Sequence, residues 1–213
     1  MSFLESVYQG ILITPIWEWI AVLTGIFYVI LAALRNNLCW IFAIASSGIF
    51  IYLCLDGKLY IESVLQAFYI VMAIVGWVSW RKNGQSESGQ TDELLDSQES
   101  KGDVKTWPLS YHGFNILISG AVAFLLGFCF DTFTDQANPY MDAFTTIFSL
   151  AATYMVVKKV LENWIYWIVI DIVSIFLYHD RGYSLSAVLY FLFTILAIVG
   201  FIAWRKRFKT QSA

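Results

Sequence analysis

Ala73-Ile74-Val75-Gly76-Trp77-Val78-Ser79-Trp80-Arg81-Lys82 and Ala197-Ile198-Val199-Gly200-Phe201-Ile202-Ala203-Trp204-Arg205-Lys206 are one segment written twice, 124 positions apart. Working outward, Asp56 finds Asp180 and Trp40 finds Trp164 at the same offset, without a gap. A repeat of this length is a structural unit used twice, and it must be recognised before anything else is read. In a membrane chain, paired repeats with polar residues at mid-depth mark a transporter.

Composition places the chain in a bilayer. Hydrophobic residues make up 59% of its 213 residues and charged ones 14%, against about 45–50% and about 25% in soluble domains. The charges collect between long apolar runs, and a run of about 17–25 residues suits a helix whose backbone groups must all bond within their own segment. Seven transmembrane helices are predicted, over residues 15–34, 38–55, 60–80, 110–130, 140–157, 163–178 and 185–204. Residues 1–14 lack the pattern of a secretory signal. Instead Phe3, Leu4, Val7, Tyr8, Ile11 and Leu12 fall at helical spacing, which predicts a short interfacial helix ended by Pro15.

Two identical units of three helices would be inverted if joined directly, because three crossings end on the opposite face. Both repeats carry Arg-Lys after their last Trp, so they must point the same way, and one more crossing is required. The predicted fold is therefore an all-α integral membrane protein with two parallel three-helix repeats joined by a linker helix, three plus one plus three. Its parts are the N-terminal segment 1–14, a first repeat 15–82, a flexible cytoplasmic linker 83–109 rich in Gln, Ser, Gly, Glu and Asp, a linker helix 110–130, a second repeat 140–204 and a basic tail 205–213. Gly113, Ser119, Gly120, Ala121, Ala123 and Gly127 give the linker helix small residues for close packing, with Asn115 as its one polar candidate for the pathway.

Lysines and arginines orient the bundle. Only Lys58 and Arg181 fall on the side of the N-terminus, and the other eleven of the thirteen fall opposite. The positive-inside rule then puts the N-terminus outside and the C-terminus in the cytoplasm.

Polar side chains at helical spacing mark the interior of such a bundle. Trp164, Trp167, Asp171, Ser174 and Tyr178 share one face of the sixth span, and Glu62, Gln66, Tyr69, Ala73, Gly76 and Trp80 share one face of the third. At the repeat offset, Trp40 and Ser47 answer Trp164 and Asp171, while Tyr190 answers Gln66. Asp171 lies near mid-membrane, where a carboxylate costs about 2.5–3.5 kcal/mol and must face protein or water. It is an acceptor for ligand hydroxyls, a counter-charge to a cation, or a structural hydrogen-bond hub. Aromatic walls suit a flat, positively charged ring.

Metal and redox chemistry find no support in the spacing of Cys39, Cys54 and Cys129, which read as apolar filler. Catalysis finds none either: His112 and His179 fall at span edges, and no nucleophile or metal-hydrolase motif is present. No catalytic residue, metal or cofactor is expected.

The run Glu162-Asn163-Trp164-Ile165-Tyr166-Trp167-Ile168-Val169-Ile170-Asp171 with Gly200 and Trp204, joined by Leu65-Gln66-Ala67-Phe68-Tyr69 and Gly76-Trp77, resembles the PnuC family of bacterial vitamin transporters. The resemblance spans nearly the whole chain. It implies a SWEET-like fold in the bacterial inner membrane. It also implies facilitated diffusion of nicotinamide riboside, thiamine or riboflavin, without ion coupling and with trapping by a cytoplasmic kinase. A homotrimer is implied as well. Gln66, Asn163, Trp164, Trp167 and Asp171 fall on the family's pocket positions, and some members carry Asn in place of Asp171. Nicotinamide riboside is the leading expectation and thiamine the alternative, both flat cations with hydroxyls. A proton-coupled carrier titrating Asp171 is the second alternative. The expected ligand contacts are Glu62, Gln66, Tyr69, Tyr190, Trp40, Ser47, Asn163, Trp164, Trp167 and Asp171.

Overall fold

A computed structural model describes residues 3–56, 60–85, 104–134 and 138–211, with the backbone alone for 60–62 and 82–85. Eight helices are seen among the described residues: α1 (Phe3–Ile13), α2 (Ile16–Ala33), α3 (Cys39–Asp56), α4 (Tyr60–Gln85), α5 (Leu109–Phe133), α6 (Pro139–Val157), α7 (Asn163–Asp180) and α8 (Ser184–Gln211). They begin where proline favours a helix start: Pro15 and Pro108 precede α2 and α5, and Pro139 opens α6. Lengths of 18 to 28 residues for α2, α3 and α5–α8 follow the apolar runs. Both α4 and α8 continue past their last tryptophan into the basic segment behind it.

Six of these helices, α2 to α6 and α8, are long and apolar enough to cross a membrane. Helix α7 matches α2 in length at 18 residues, but Asn163, Asp171, His179 and Asp180 dilute its apolar content. It lies between two such helices, packed on α6 and α8.

The helices close into an annulus. Each packs on the next in the order α2, α3, α4, α6, α7, α8, and α8 returns to α2. Helix α5 docks outside on α6 and α1 outside on α8. The 124-residue offset maps α2 onto α6, α3 onto α7 and α4 onto α8, so the α4–α6 and α8–α2 junctions are counterparts.

At one end of the annulus the match extends to single atoms. Arg35 and Lys159, 124 apart, both have φ of 55° in the left-handed region. Behind them Asn36 N–H reaches Leu31 O at 2.8 Å, and Val160 N–H reaches Met155 O at 2.9 Å. Both helices thus end in a Schellman turn built on a cationic residue instead of the usual glycine. The last-turn carbonyls they leave open are taken by tryptophans of the opposite repeat. Trp80 Nε1 donates to Val157 O at 3.1 Å, and Trp204 Nε1 is shared between Ala33 O and Ala32 O at 3.1 Å each. The two indoles meet with centroids 6.3 Å apart.

Each repeat also seats a tryptophan on a glycine. A Cβ on Gly76 would lie 2.4 Å from the Trp40 ring, and one on Gly200 would lie 2.7 Å from the Trp164 ring. Only hydrogen at that carbon lets the indole lie flat on the neighbouring helix. Trp40 meets Trp80 edge-on at 5.2 Å, and Trp164 meets Trp204 edge-on at 5.5 Å.

One contact has no counterpart. Before α5, Lys105 pairs with the α6–α7 loop through Lys105 N–H to Lys159 O (2.9 Å) and Leu161 N–H to Lys105 O (2.7 Å). Val104 is buried beside it. The thiols of Cys39, which is buried, and Cys129, which is exposed, are free.

Candidate functional site

The annulus encloses a cavity of about 450 Å³, within the range of small-molecule sites. Its wall is unevenly supplied. Helix α7 gives Trp164, Trp167, Ile170, Asp171, Ser174, Leu177 and Tyr178, every third or fourth residue of one face. Helix α6 adds Asp142, Thr145, Thr146, Ser149 and Val156, and α8 adds Tyr190, Phe193 and Ala197. From the first repeat come Gly25, Tyr28, Val29 and Ala32 of α2 and Leu65, Gln66 and Tyr69 of α4. Phe130 of α5 reaches in, while α3 contributes nothing.

Asp171 is 4% exposed and forms no hydrogen bond or ion pair among the described residues. A lone carboxylate in this setting attracts a cation strongly, because little water screens it. Around it the hydroxyls of Ser149, Ser174, Thr145 and Thr146 and the amide of Gln66 offer donors and acceptors. Tyr178 and Tyr190 stack at 5.1 Å with 19° between their planes, so part of the wall is a fixed aromatic face. Another part of the rim carries the Arg181–Asp142 ion pair, which ties the end of α7 to the start of α6. Opposite charges there cancel, which leaves Asp171 to set the sign of the interior. Near the tryptophan cluster, the Trp164 indole N–H is buried and without a hydrogen-bond partner among the described residues, as is that of Trp40.

Of the expected ligand contacts, Gln66, Tyr69, Trp164, Trp167, Asp171 and Tyr190 come together on this wall. Three do not. Trp40 is spent on Gly76 and Trp80, and Ser47 is buried within the first repeat. Asn163 is 0% exposed and donates through Nδ2 to Val160 O at 2.6 Å, tying the start of α7 to the loop before it. Placing these three by repeat symmetry or by motif takes no account of packing, and packing directs them away from the cavity. The Glu62 side chain lies outside the described residues. Asn115 belongs to a separate polar cluster between α5 and α7, where its Nδ2 donates to the Tyr166 hydroxyl at 3.3 Å. His112 joins that cluster, with Nδ1 3.3 Å from the Tyr166 hydroxyl and Nε2 3.7 Å from Glu162.

Sequence reasoning missed Tyr28, Ser149, the two threonines and the Arg181–Asp142 pair. Ser149 and Thr145 lie four apart on one face of α6, a signal that was available. Tyr28 gives none: it sits beside Phe27 in an apolar span, and its counterpart at the repeat offset is Ala152.

Comparison with known proteins accords with this arrangement. A family model described as "Nicotinamide mononucleotide transporter" matches residues 15–206. The chain is 22% identical over 200 residues to the nicotinamide riboside transporter PnuC of Escherichia coli (strain K12), covering 88% of this chain and 84% of that one. It is 26% identical over 202 residues to PnuC of Neisseria mucosa, covering 91% and 73%. The riboflavin/roseoflavin transporter RibM of Streptomyces davaonensis is 23% identical over 167 residues, covering 78% and 74%. The fold is that of the crystal structure of the vitamin B3 transporter PnuC, with a TM-score of 0.71 at 20% identity over 98% of this chain and 90% of that one.

Proposed function

The chain belongs to the nicotinamide mononucleotide transporter family, a family of membrane transporters and not of enzymes, and from that premise we propose that its cavity carries nicotinamide riboside. The observation behind this reading is Asp171, a buried carboxylate without a partner among the described residues, in a cavity walled by Trp167, Tyr69, Tyr178 and Tyr190. Nicotinamide riboside brings what that wall lacks: a pyridinium charge for the carboxylate, a flat ring for the aromatics and ribose hydroxyls for Gln66, Ser149 and Ser174.

In the membrane, α2 to α8 make seven crossings, with α5 as the linker between two parallel three-helix repeats. The basic residues put the N-terminus outside, the C-terminus in the cytoplasm and α1 on the outer surface of the bacterial inner membrane. Transport is facilitated diffusion: the repeats rock about the cavity and expose it to each side in turn. Uptake becomes net accumulation when a cytoplasmic kinase phosphorylates the arriving nucleoside. On the same family basis the protein assembles as a homotrimer. Among the described carboxylates, Asp171 is the one at mid-depth of the cavity, and a single titrating group gives a proton no relay partner. Uptake in vesicles should therefore persist when the proton gradient is collapsed.

Titration of the purified protein with nicotinamide riboside and with thiamine, read by tryptophan fluorescence, tests the assignment. Saturable quenching by nicotinamide riboside, lost in Trp167→Ala, is the expected result. Tight binding of thiamine alone would move the assignment to that vitamin. Binding of neither cation would overturn the role given to Asp171.

A further inference from the structure

We propose that Tyr28 sets the size limit of the cavity, admitting a nucleoside with a single-ring base and excluding a fused three-ring heterocycle such as a flavin. The proposal rests on the cavity being the substrate site.

The argument comes from an exchange of volume between the repeats. On α2, Gly25, Tyr28 and Ala32 lie on one face, and their counterparts on α6 are Ser149, Ala152 and Val156. Gly25 and Ser149 both line the cavity, and so do Ala32 and Val156. The two helices therefore present the same face inward. At the middle position they part company. Tyr28 lines the cavity, whereas Ala152 is 0% exposed and packs with Phe148 and Ile170, with Trp167 against them.

One helix further along, the exchange runs the other way. Trp167 of α7 lines the cavity, and its counterpart on α3 is Ala43, which does not. Each repeat thus spends one large aromatic and one alanine on the same sector. The second repeat takes its aromatic from α7 and the first takes it from α2.

The choice decides which helix the ligand meets. With alanine on α6, the face of α7 from Trp164 to Tyr178 stands open to the cavity. With tyrosine on α2, α3 is shut away: the Tyr28 ring lies 6.1 Å from Trp40, between that indole and the cavity. Removing the ring would leave the Trp40 indole, which is seated on Gly76, and the α3 counterpart of Trp167 is only an alanine, so α3 supplies no aromatic in its place. The phenol therefore bounds the cavity on the side of the first repeat by its bulk.

Bulk makes a specific forecast, because a wall discriminates by steric exclusion of the wider ligand. Calorimetric titration of the detergent-solubilised full chain with nicotinamide riboside and with riboflavin reads the ratio of the two affinities. Wild type should prefer nicotinamide riboside by about tenfold or more, and Tyr28→Phe, which keeps the ring, should keep that ratio. Tyr28→Ala should raise riboflavin affinity by about tenfold, and Tyr28→Leu should give a smaller rise if the alanine variant proves too unstable to titrate. The double variant Tyr28→Ala/Ala43→Trp rebuilds the first repeat on the pattern of the second and should restore the preference. Riboflavin affinity unchanged in both Tyr28→Ala and Tyr28→Leu, with nicotinamide riboside still bound, overturns the role of Tyr28 alone. Wild type binding riboflavin as tightly as nicotinamide riboside overturns it too. Wild type binding no nicotinamide riboside removes the site assignment and this inference with it.

Discussion

Helices α3 and α7 hold the same place in their repeats, each carrying a tryptophan seated on a glycine of the following helix. Yet α7 gives seven residues to the cavity wall and α3 gives none. What the two share is confined to the tryptophan end, where the Schellman turns, the crossed indole–carbonyl bonds and the glycine seats recur. What separates them lies at the cavity, where Ser47 stands for Asp171 and Ala43 for Trp167. The repeats keep the contacts by which they hold each other and diverge where they line the cavity. Rocking of one half against the other, as proposed, calls for a matched pivot, and a ligand without twofold symmetry calls for an unmatched site.

The largest test of this contrast is at the position where the helices differ in charge. Asp171→Asn should weaken nicotinamide riboside binding by about 2 kcal/mol or more, roughly 30-fold or more in Kd, because the cation loses a poorly screened partner. The same substitution should raise the Tm of the empty protein, since it removes a buried charge that nothing compensates. Ser47→Ala should alter binding by less than about twofold. If Asp171→Asn lowered the Tm and spared binding, the carboxylate would be a structural hub and the contrast would fail at its strongest point.

Next comes the shared glycine seat. Gly76→Ala and Gly200→Ala each put a methyl group inside the contact distance of an indole, 2.4 Å and 2.7 Å from the nearest ring atom. Overpacking of this kind costs about 1–3 kcal/mol, so both variants should unfold earlier in a thermal-shift assay. Only Gly200→Ala should also disturb ligand binding, because Trp164 lines the cavity and Trp40 does not. Equal binding defects in the two would mean that α3 reaches the ligand after all.

The crossed tryptophans sharpen the symmetric half of the comparison. Trp80→Phe and Trp204→Phe each remove one indole N–H donor, bonded to Val157 O at 3.1 Å for Trp80 and shared between Ala32 O and Ala33 O at 3.1 Å each for Trp204, worth about 0.5–1.5 kcal/mol. Their effects on stability should be nearly equal, and the double variant should depart from additivity because the two rings touch. A large inequality between the single variants would show that the pivot is less symmetric than its geometry.

Much of this was written in the chain. The repeat, the helical runs and the polar stripe on α7 follow from identity at a fixed offset, hydropathy and a period of 3.6. Identity matching finds what two halves share and is blind to what they exchange. It extended the site to Trp40 and Ser47, which the packing of α2 against α3 screens off, and it passed over Tyr28, whose counterpart is an alanine. The Arg181–Asp142 pair was hidden for another reason. Its members lie 39 residues apart and meet only when α6 and α7 fold back on each other.

The smallest predicted effect lies in the loops. In the first repeat the turn from α2 to α3 is held by Asn36, whose Oδ1 accepts from Leu38 N–H at 2.9 Å on the surface. In the second, the counterpart of Asn36 is Val160, which has no side-chain acceptor, and the chain around Lys105 supplies two backbone bonds instead. Asn36→Ala should cost about 0.5 kcal/mol, since water can replace an exposed acceptor, and should speed exchange of the Leu38 amide hydrogen. Lys105→Pro removes one of the two bonds, from a segment anchored by the buried Val104, and should cost about 1 kcal/mol. Faster exchange at Leu161 with no change at Leu38 would mark that loss as local to the second repeat. An equal response at both amides would mean that the two loops move as one body, so that the segment at Lys105 braces the whole tryptophan cluster and not the second repeat alone.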